Sequence, residues 1–303
     1  MEKVNSYSCV STPLTFSSGV NVNKAAQVQS DVFKTGAVSQ PTMDTVNFRS
    51  KKEILTEKFN KLFPNNEFSQ IYDNITKDFG IDKQPTLKLY DEEDGVAGGG
   101  YTFNRNEISM SLSDLLDSDT KIVGIKDGKR IVLISPSVKL PLFVDKQSAD
   151  AFIKMQSQHG NMGFDELIAE PLTPKEQKKF IVQKISHEMV HAQQHMIMRQ
   201  TEGIGEKEVY KAWLHEKPQN MIEKAILDIK VNTFFHKTYW GNQPETEKTI
   251  SADSPKGKIA HLWLEAVRNY PPVDSPEYVK NPIEQDAYNR SAQYANAKFG
   301  PWV

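Results

Sequence analysis

One stretch, from Thr173 to about Gln200, restricts the fold of this chain more than any other. Thr173-Pro174-Lys175-Glu176 is a helix start: Thr caps, Pro takes the first helical position and Glu completes a capping box. No Gly occurs in the stretch before Gly203, so a single continuous helix is expected. Ile181, Ile185, Ala192 and Met196 form its core stripe, with His187 and His191 facing another way. Those two histidines belong to His187-Glu188-Met189-Val190-His191, an HExxH pattern. Residues i and i+4 lie one turn apart on one helix face. Two imidazoles there can reach a single zinc ion at about 2.0–2.1 Å. Glu188 can reach a water activated by that ion without itself being a ligand.

Composition limits what can complete such a site. The only cysteine is Cys9, which rules out a disulfide framework within the chain and a cysteine-rich structural zinc site. The formal net charge of −2 argues against a general nucleic-acid binder, which needs a basic surface to meet phosphates. No apolar run approaches the ~18 residues of a membrane helix, so no membrane partner is expected. The first residues, MEKVNSYSCVSTPLTFSSGVNVNK, lack the apolar stretch of a secretory signal. The expectation is a cytoplasmic protein, or one exported without a cleaved signal.

The rest of the chain falls into three stretches. Residues 1–48 are rich in Ser, Thr, Asn, Gln and Val and read as a flexible tail ahead of a domain at 49–303. Within that domain, 49–83 reads as helical: Ser50 with Glu53 caps one helix, and a second stops at Gly80. Residues 84–136 read as one small, mostly antiparallel sheet. Its strands are TLKLY, a hairpin turning at Asn104 to Asn106, and a second hairpin, KIVGI with RIVLIS, turning at Asp127-Gly128. Gly98-Gly99-Gly100 reads as the entry turn of the first hairpin, because neither Gly-Lys-Ser/Thr nor a helix follows it. From 148 to 298 the chain reads as helical, with Pro218 and Pro282 in first turns. The fold class is therefore α+β.

A catalytic zinc with two histidines needs a third protein ligand. His195 is on the same helix, ~12 Å along the axis from His187 at 1.5 Å per residue, which no single ion spans. It reads as a rim residue, a support for the ligands, or a surface residue. Glu284, in Asn281-Pro282-Ile283-Glu284-Gln285-Asp286-Ala287-Tyr288, is the best candidate, and Tyr288 lies one turn further on. Asn281 and Glu284 also match a capping box, in which Glu284 would bond backbone instead. Glu202, Glu206, Glu208, His215, Glu216 and Asp228 are rivals closer in sequence.

HEMVHAQQH on one helix and NPIEQDAY on a later one resemble the gluzincin branch of the zincin metallopeptidases, especially the small bacterial members. The hairpin from Gly100 to Met110 resembles that family's edge strand, which lines the cleft and pairs with extended substrate. The likeness spans about 84–298, with three short motifs carrying it. It implies a zincin-like fold and one Zn2+ held by His187, His191 and Glu284. It also implies Glu188 as base and Tyr288 or Tyr278 at the oxyanion. Two departures stand out. Glu284 follows His191 by 93 residues, and the residue one turn after it is Tyr288 rather than an acid. Asp286 is then the candidate brace for a ligand histidine.

The expected activity is hydrolysis of amide bonds in peptides or proteins, the substrate pairing with the strand near 100–111. The alternatives are a zinc hydrolase for a non-peptide amide or ester, and a catalytically silent binding module on the same fold. The intact Glu188 speaks against the last.

Overall fold

The computed structural model describes residues 50–90, 99–103, 105–142, 144–213, 220–235, 246–272 and 275–303, with the backbone alone at 230 and 232–235. The expected tail at 1–48, the hairpin residue Asn104, and Pro218 all lie outside the described residues.

Both capping boxes form. Ser50 Oγ accepts from Glu53 N, Glu53 accepts from Ser50 N, and helix α1 (Lys51–Leu62) follows. Helix α2 (Glu67–Asp78) ends where Gly80 takes a φ of 61°, a left-handed conformation that glycine adopts at little cost. Three short strands follow: β1 (Thr86–Tyr90), β2 (Gly99–Thr102) and β3 (Glu107–Ser111). They form a sheet in the order β1-β3-β2, with β1 parallel and β2 antiparallel to β3. The short helix α3 (Leu112–Leu116) leads into β4 (Thr120–Lys126) and β5 (Lys129–Val132). Asp127 and Gly128 turn that hairpin with φ of 51° and 70°, the two positive values a type I′ turn demands.

Two expectations for this region need correction. Residues 84–136 supply strands to two sheets, not one, and the second sheet, β5-β4-β6, is completed from further along the chain. After helix α4 (Lys146–Ser157), residues Glu166–Pro171 form β6, which pairs antiparallel with Thr120 to Ile125 of β4. The stretch from 148 on is thus not purely helical. The identity of β6 depends on a partner some 45 residues upstream, which no local pattern carries. Gly99 and Gly100 are strand residues rather than an entry turn. A Cβ on Gly99 would stand 2.4 Å from Met110 Sδ and 3.0 Å from Ser109 O, so a side chain there requires Met110 to shift.

Helix α5 (Pro174–Gln200) runs unbroken as expected, with Thr173 and Glu176 capping each other. It is followed by α6 (Glu206–Trp213), α7 (Met221–Phe235), α8 (Pro255–Arg268) and α9 (Pro282–Phe299). The core does not meet α5 on one stripe. Phe180, Ile181, Val182, Ile185, Met189 and Val190 join one cluster with α1, α2 and the first sheet, while Ile197 and Met198 join another with α6 and α8. Met196, expected in the stripe, is part-exposed. A helix packed on nearly all sides is one that other elements build around. Among the described residues no helix is long and apolar enough to cross a membrane.

Candidate metal centre

His187 and His191 are buried on α5, and their Nε2 atoms stand 3.1 Å apart. The spacing that places them on one face is local to the helix. What closes the group comes from α9, whose first turn carries Glu284 against α5. Glu284 is 0% exposed; its Oε2 is 3.1 Å from His187 Nε2 and its Oε1 3.3 Å from His191 Nε2. Among the described residues these three are the one group of His, Cys, Asp or Glu side chains arranged to hold a metal ion. Zinc–donor bonds of about 2.0–2.1 Å at tetrahedral angles place donors roughly 3.3–3.4 Å apart. The separations of 3.1, 3.1 and 3.3 Å fit that size closely. Glu284 Oε2 and His187 Nδ1 are buried without a hydrogen-bond partner among the described residues. Two imidazoles and one carboxylate, all desolvated, form a donor set that could hold a metal ion.

The alternative reading of Glu284 as a helix cap does not match the geometry. Asn281 caps α9 by accepting from Ile283 N at 3.0 Å, and its Nδ2 donates to Ala266 O at 3.1 Å. Glu284 turns inward instead and accepts a short hydrogen bond from Tyr270. The sequence rivals are placed elsewhere. Glu206 pairs with Arg199 at 2.9 Å and Glu208 faces Arg268 at 3.5 Å. Asp228 pairs with Lys211 and Glu202 is exposed. His215 and Glu216 lie outside the described residues.

Charge is balanced inside this cluster. Burial opposes ionisation of Glu284, but the imidazoles of His191 and His187 outweigh it and hold the carboxyl far below its ordinary range. Burial likewise opposes a proton on His191. The carboxylates of Glu284 and Glu188 more than offset it and raise its pKa to about 9.

Support for the ligands comes from Asp286, a candidate from the sequence, and from Gln194 and Tyr270, which the sequence did not single out. His191 Nδ1 bonds Gln194 Oε1 at 2.8 Å, and Gln194 Nε2 donates to Ile283 O at 3.0 Å and Asp286 Oδ2 at 2.8 Å. Asp286 therefore braces His191 through Gln194 and not by direct contact. Gln194 follows His191 by three residues, a helical neighbour, and that spacing was its one legible signal. Tyr270, beyond the end of α8, left none.

His195 is neither a ligand nor a surface residue. It is 3% exposed, and its ring lies 5.9–6.2 Å from those of Trp213, Phe103 and Tyr101. Burial, with Arg199 nearby, drives its pKa well below the ordinary value. The Tyr288 ring packs on His187 with centroids 4.3 Å apart. Tyr278 sits at a single turn of 3-10 helix, Tyr278–Lys280, just before α9.

Two cavities meet at Glu188. One, of about 280 Å³, is bordered by Gly99 to Phe103, Glu188, His191, Trp213, Tyr270 and Tyr278. The other, of about 300 Å³, is bordered by His187, Glu188, Tyr278, Tyr288 and apolar residues including Met110, Val138 and Leu140. Gly99, Glu188 and Tyr278 belong to both. Strand β2 is at the edge of its sheet, with β3 on one side and no strand among the described residues on the other. Comparison with protein-family models, with curated proteins and with solved structures finds no match to this chain.

Proposed function

We propose that this chain is a zinc-dependent hydrolase of amide bonds in peptides or proteins, built along the lines of a gluzincin-type metallopeptidase. The observation that carries the reading is the buried triangle of His187, His191 and Glu284 donors with Glu188 beside it at the junction of two cavities. A zinc ion held by the three residues would supply acidity to a water and polarisation to a carbonyl. The protein's own part is proton transfer and positioning. Glu188 is half-buried and stands outside the ligand triangle, so its carboxylate is free to take the proton of the attacking water and pass it to the leaving amine. Tyr278 and Tyr288 remain protonated because burial, and then neighbouring groups including Glu284 and Glu188, raise their pKa values far above the ordinary phenol. Each is thus a donor able to meet charge developing on the carbonyl oxygen. The open edge of β2 runs along the first cavity, where an extended peptide could add as a strand through main-chain hydrogen bonds.

Elemental analysis and a broad peptide library test this together. The expected result is a single zinc per chain and cleavage of peptides. Glu188→Gln should abolish cleavage while zinc stays bound, because the three ligands are untouched. Glu284→Gln should weaken zinc markedly, with partial recovery of activity at high zinc. Zinc absent even after it is added would sink the proposal. Zinc bound tightly with no peptide cleaved would leave a binding module or a hydrolase of other amides or esters.

A further inference from the structure

The second cavity contains a cation that the hydrolytic reading leaves unused. Lys184 stands on α5 one turn before Glu188 and borders this cavity. It is half-buried, and among the described residues its amine has no hydrogen-bond or ion-pair partner. It sits over the Phe180 ring, 5.3 Å from the centroid. Burial pushes its pKa down, and the charges of Asp114 and Glu188 oppose that only in part. On the same wall Gln183 donates to Lys139 O at 3.0 Å, and its Oε1 is buried with no donor among the described residues.

We propose that this cavity is a subsite for an acidic side chain of the substrate, Glu or Asp, whose carboxylate pairs with Lys184. A partly desolvated ammonium is stabilised by an anion that brings both charge and acceptor lone pairs. An apolar or cationic side chain would leave it unpaired or repelled, so the pocket selects by penalty as well as by attraction. The volume of about 300 Å³ has room for one such side chain, whose methylenes would meet Met110, Val138 and Leu140. That the acid belongs to a substrate rests on the hydrolytic reading above; the anion site does not.

Two measurements on the full chain keep those apart. The first reads binding alone. Lysines are reductively 13C-methylated, Lys184 is assigned with Lys184→Met, and the chelated protein is titrated with glutarate and with neutral glutaramide. Glutarate should move the Lys184 resonance at concentrations about tenfold lower than glutaramide, the scale of a charge-assisted hydrogen bond. Equal responses overturn the anion site and point to a carboxamide pocket. The second reads cleavage of peptide pairs that carry Glu or Gln beside the scissile bond. The kcat/KM ratio should favour Glu by about tenfold or more. It should fall to near unity in Lys184→Met, return in Lys184→Arg, and favour Gln over Glu in Lys184→Glu. Cleavage with no preference, when glutarate does bind, overturns the role in substrate selection. No cleavage of any peptide defeats the hydrolytic reading, and the titration then decides the anion site by itself.

Discussion

A carboxylate without access to water, as Glu284 is, has to be matched by positive charge or by hydrogen-bond donors. Here the matching is shared between two imidazoles and the Tyr270 hydroxyl. Tyr270 donates to that carboxylate and so orients it toward the two Nε2 atoms. Removing that hydroxyl should cost metal affinity as outer supports of metal ligands do, about 10–100-fold. Competition with a chelator on Tyr270→Phe measures it, and unchanged affinity would reduce Tyr270 to a packing role. Gln194 supports His191 in the same manner, with Asp286 behind it. The site is thus held by a chain of polar contacts in which each buried group orients the next.

The ligands ride on two helices whose caps lie at different distances from the metal centre. Thr173 caps α5 14 residues before His187, whereas Asn281 caps α9 three residues before Glu284. Thr173→Ala should lower stability by about 1 kcal/mol, the usual value for a lost N-cap. Zinc affinity should not change, because the buried middle of α5 keeps its register. Asn281→Ala loses the cap and the bond to Ala266 O that ties α9 to α8. It should lower stability by about 1–2 kcal/mol and weaken zinc as well, since the first turn of α9 presents Glu284. Urea unfolding with chelator competition on both variants tests the contrast, and equal metal affinity in the two would contradict it. The edge strand β2 is the third element of the site. Its glycines at 99 and 100 leave backbone where other strands would present side chains.

At the scale of the molecule, the long central helix couples the site to overall stability. His195 lies one turn beyond His191, inside an aromatic surround that keeps it neutral. Its folded-state pKa is depressed, while the unfolded imidazole takes a proton below about 6.5. Its contribution is therefore neutral above that pH and turns against folding as pH falls, by up to about 1.4 kcal/mol per pH unit. His195→Phe should flatten the acid side of the stability profile between about pH 6.5 and 5. The comparison is made on chelated protein, so that metal release does not enter. An equally steep loss in the variant would show that other groups set the acid limit.

The features legible in the sequence were those closed within a few residues. The HExxH pair, the capping boxes at Ser50 and Thr173, and the Asp127-Gly128 turn each depend on contacts three or four positions apart, and helix and turn geometry settle those regardless of the rest of the chain. Glu284 was visible as a candidate but not as a decision, because a cap and a ligand use the same residue at the same place in a first turn. Packing of α9 on α5 chose between them, by burying the carboxylate where two imidazoles and Tyr270 wait. The pairing of β6 with β4, the parallel pairing of β1 with β3, the burial of His195 and the exposure of Lys184 to a cavity were likewise decided at long range. Sequence periodicity records which face of an element is apolar, but not which partner covers it. What only the tertiary structure decided was therefore where each desolvated polar group finds its counterpart, and at Lys184 that counterpart is left for a ligand to bring.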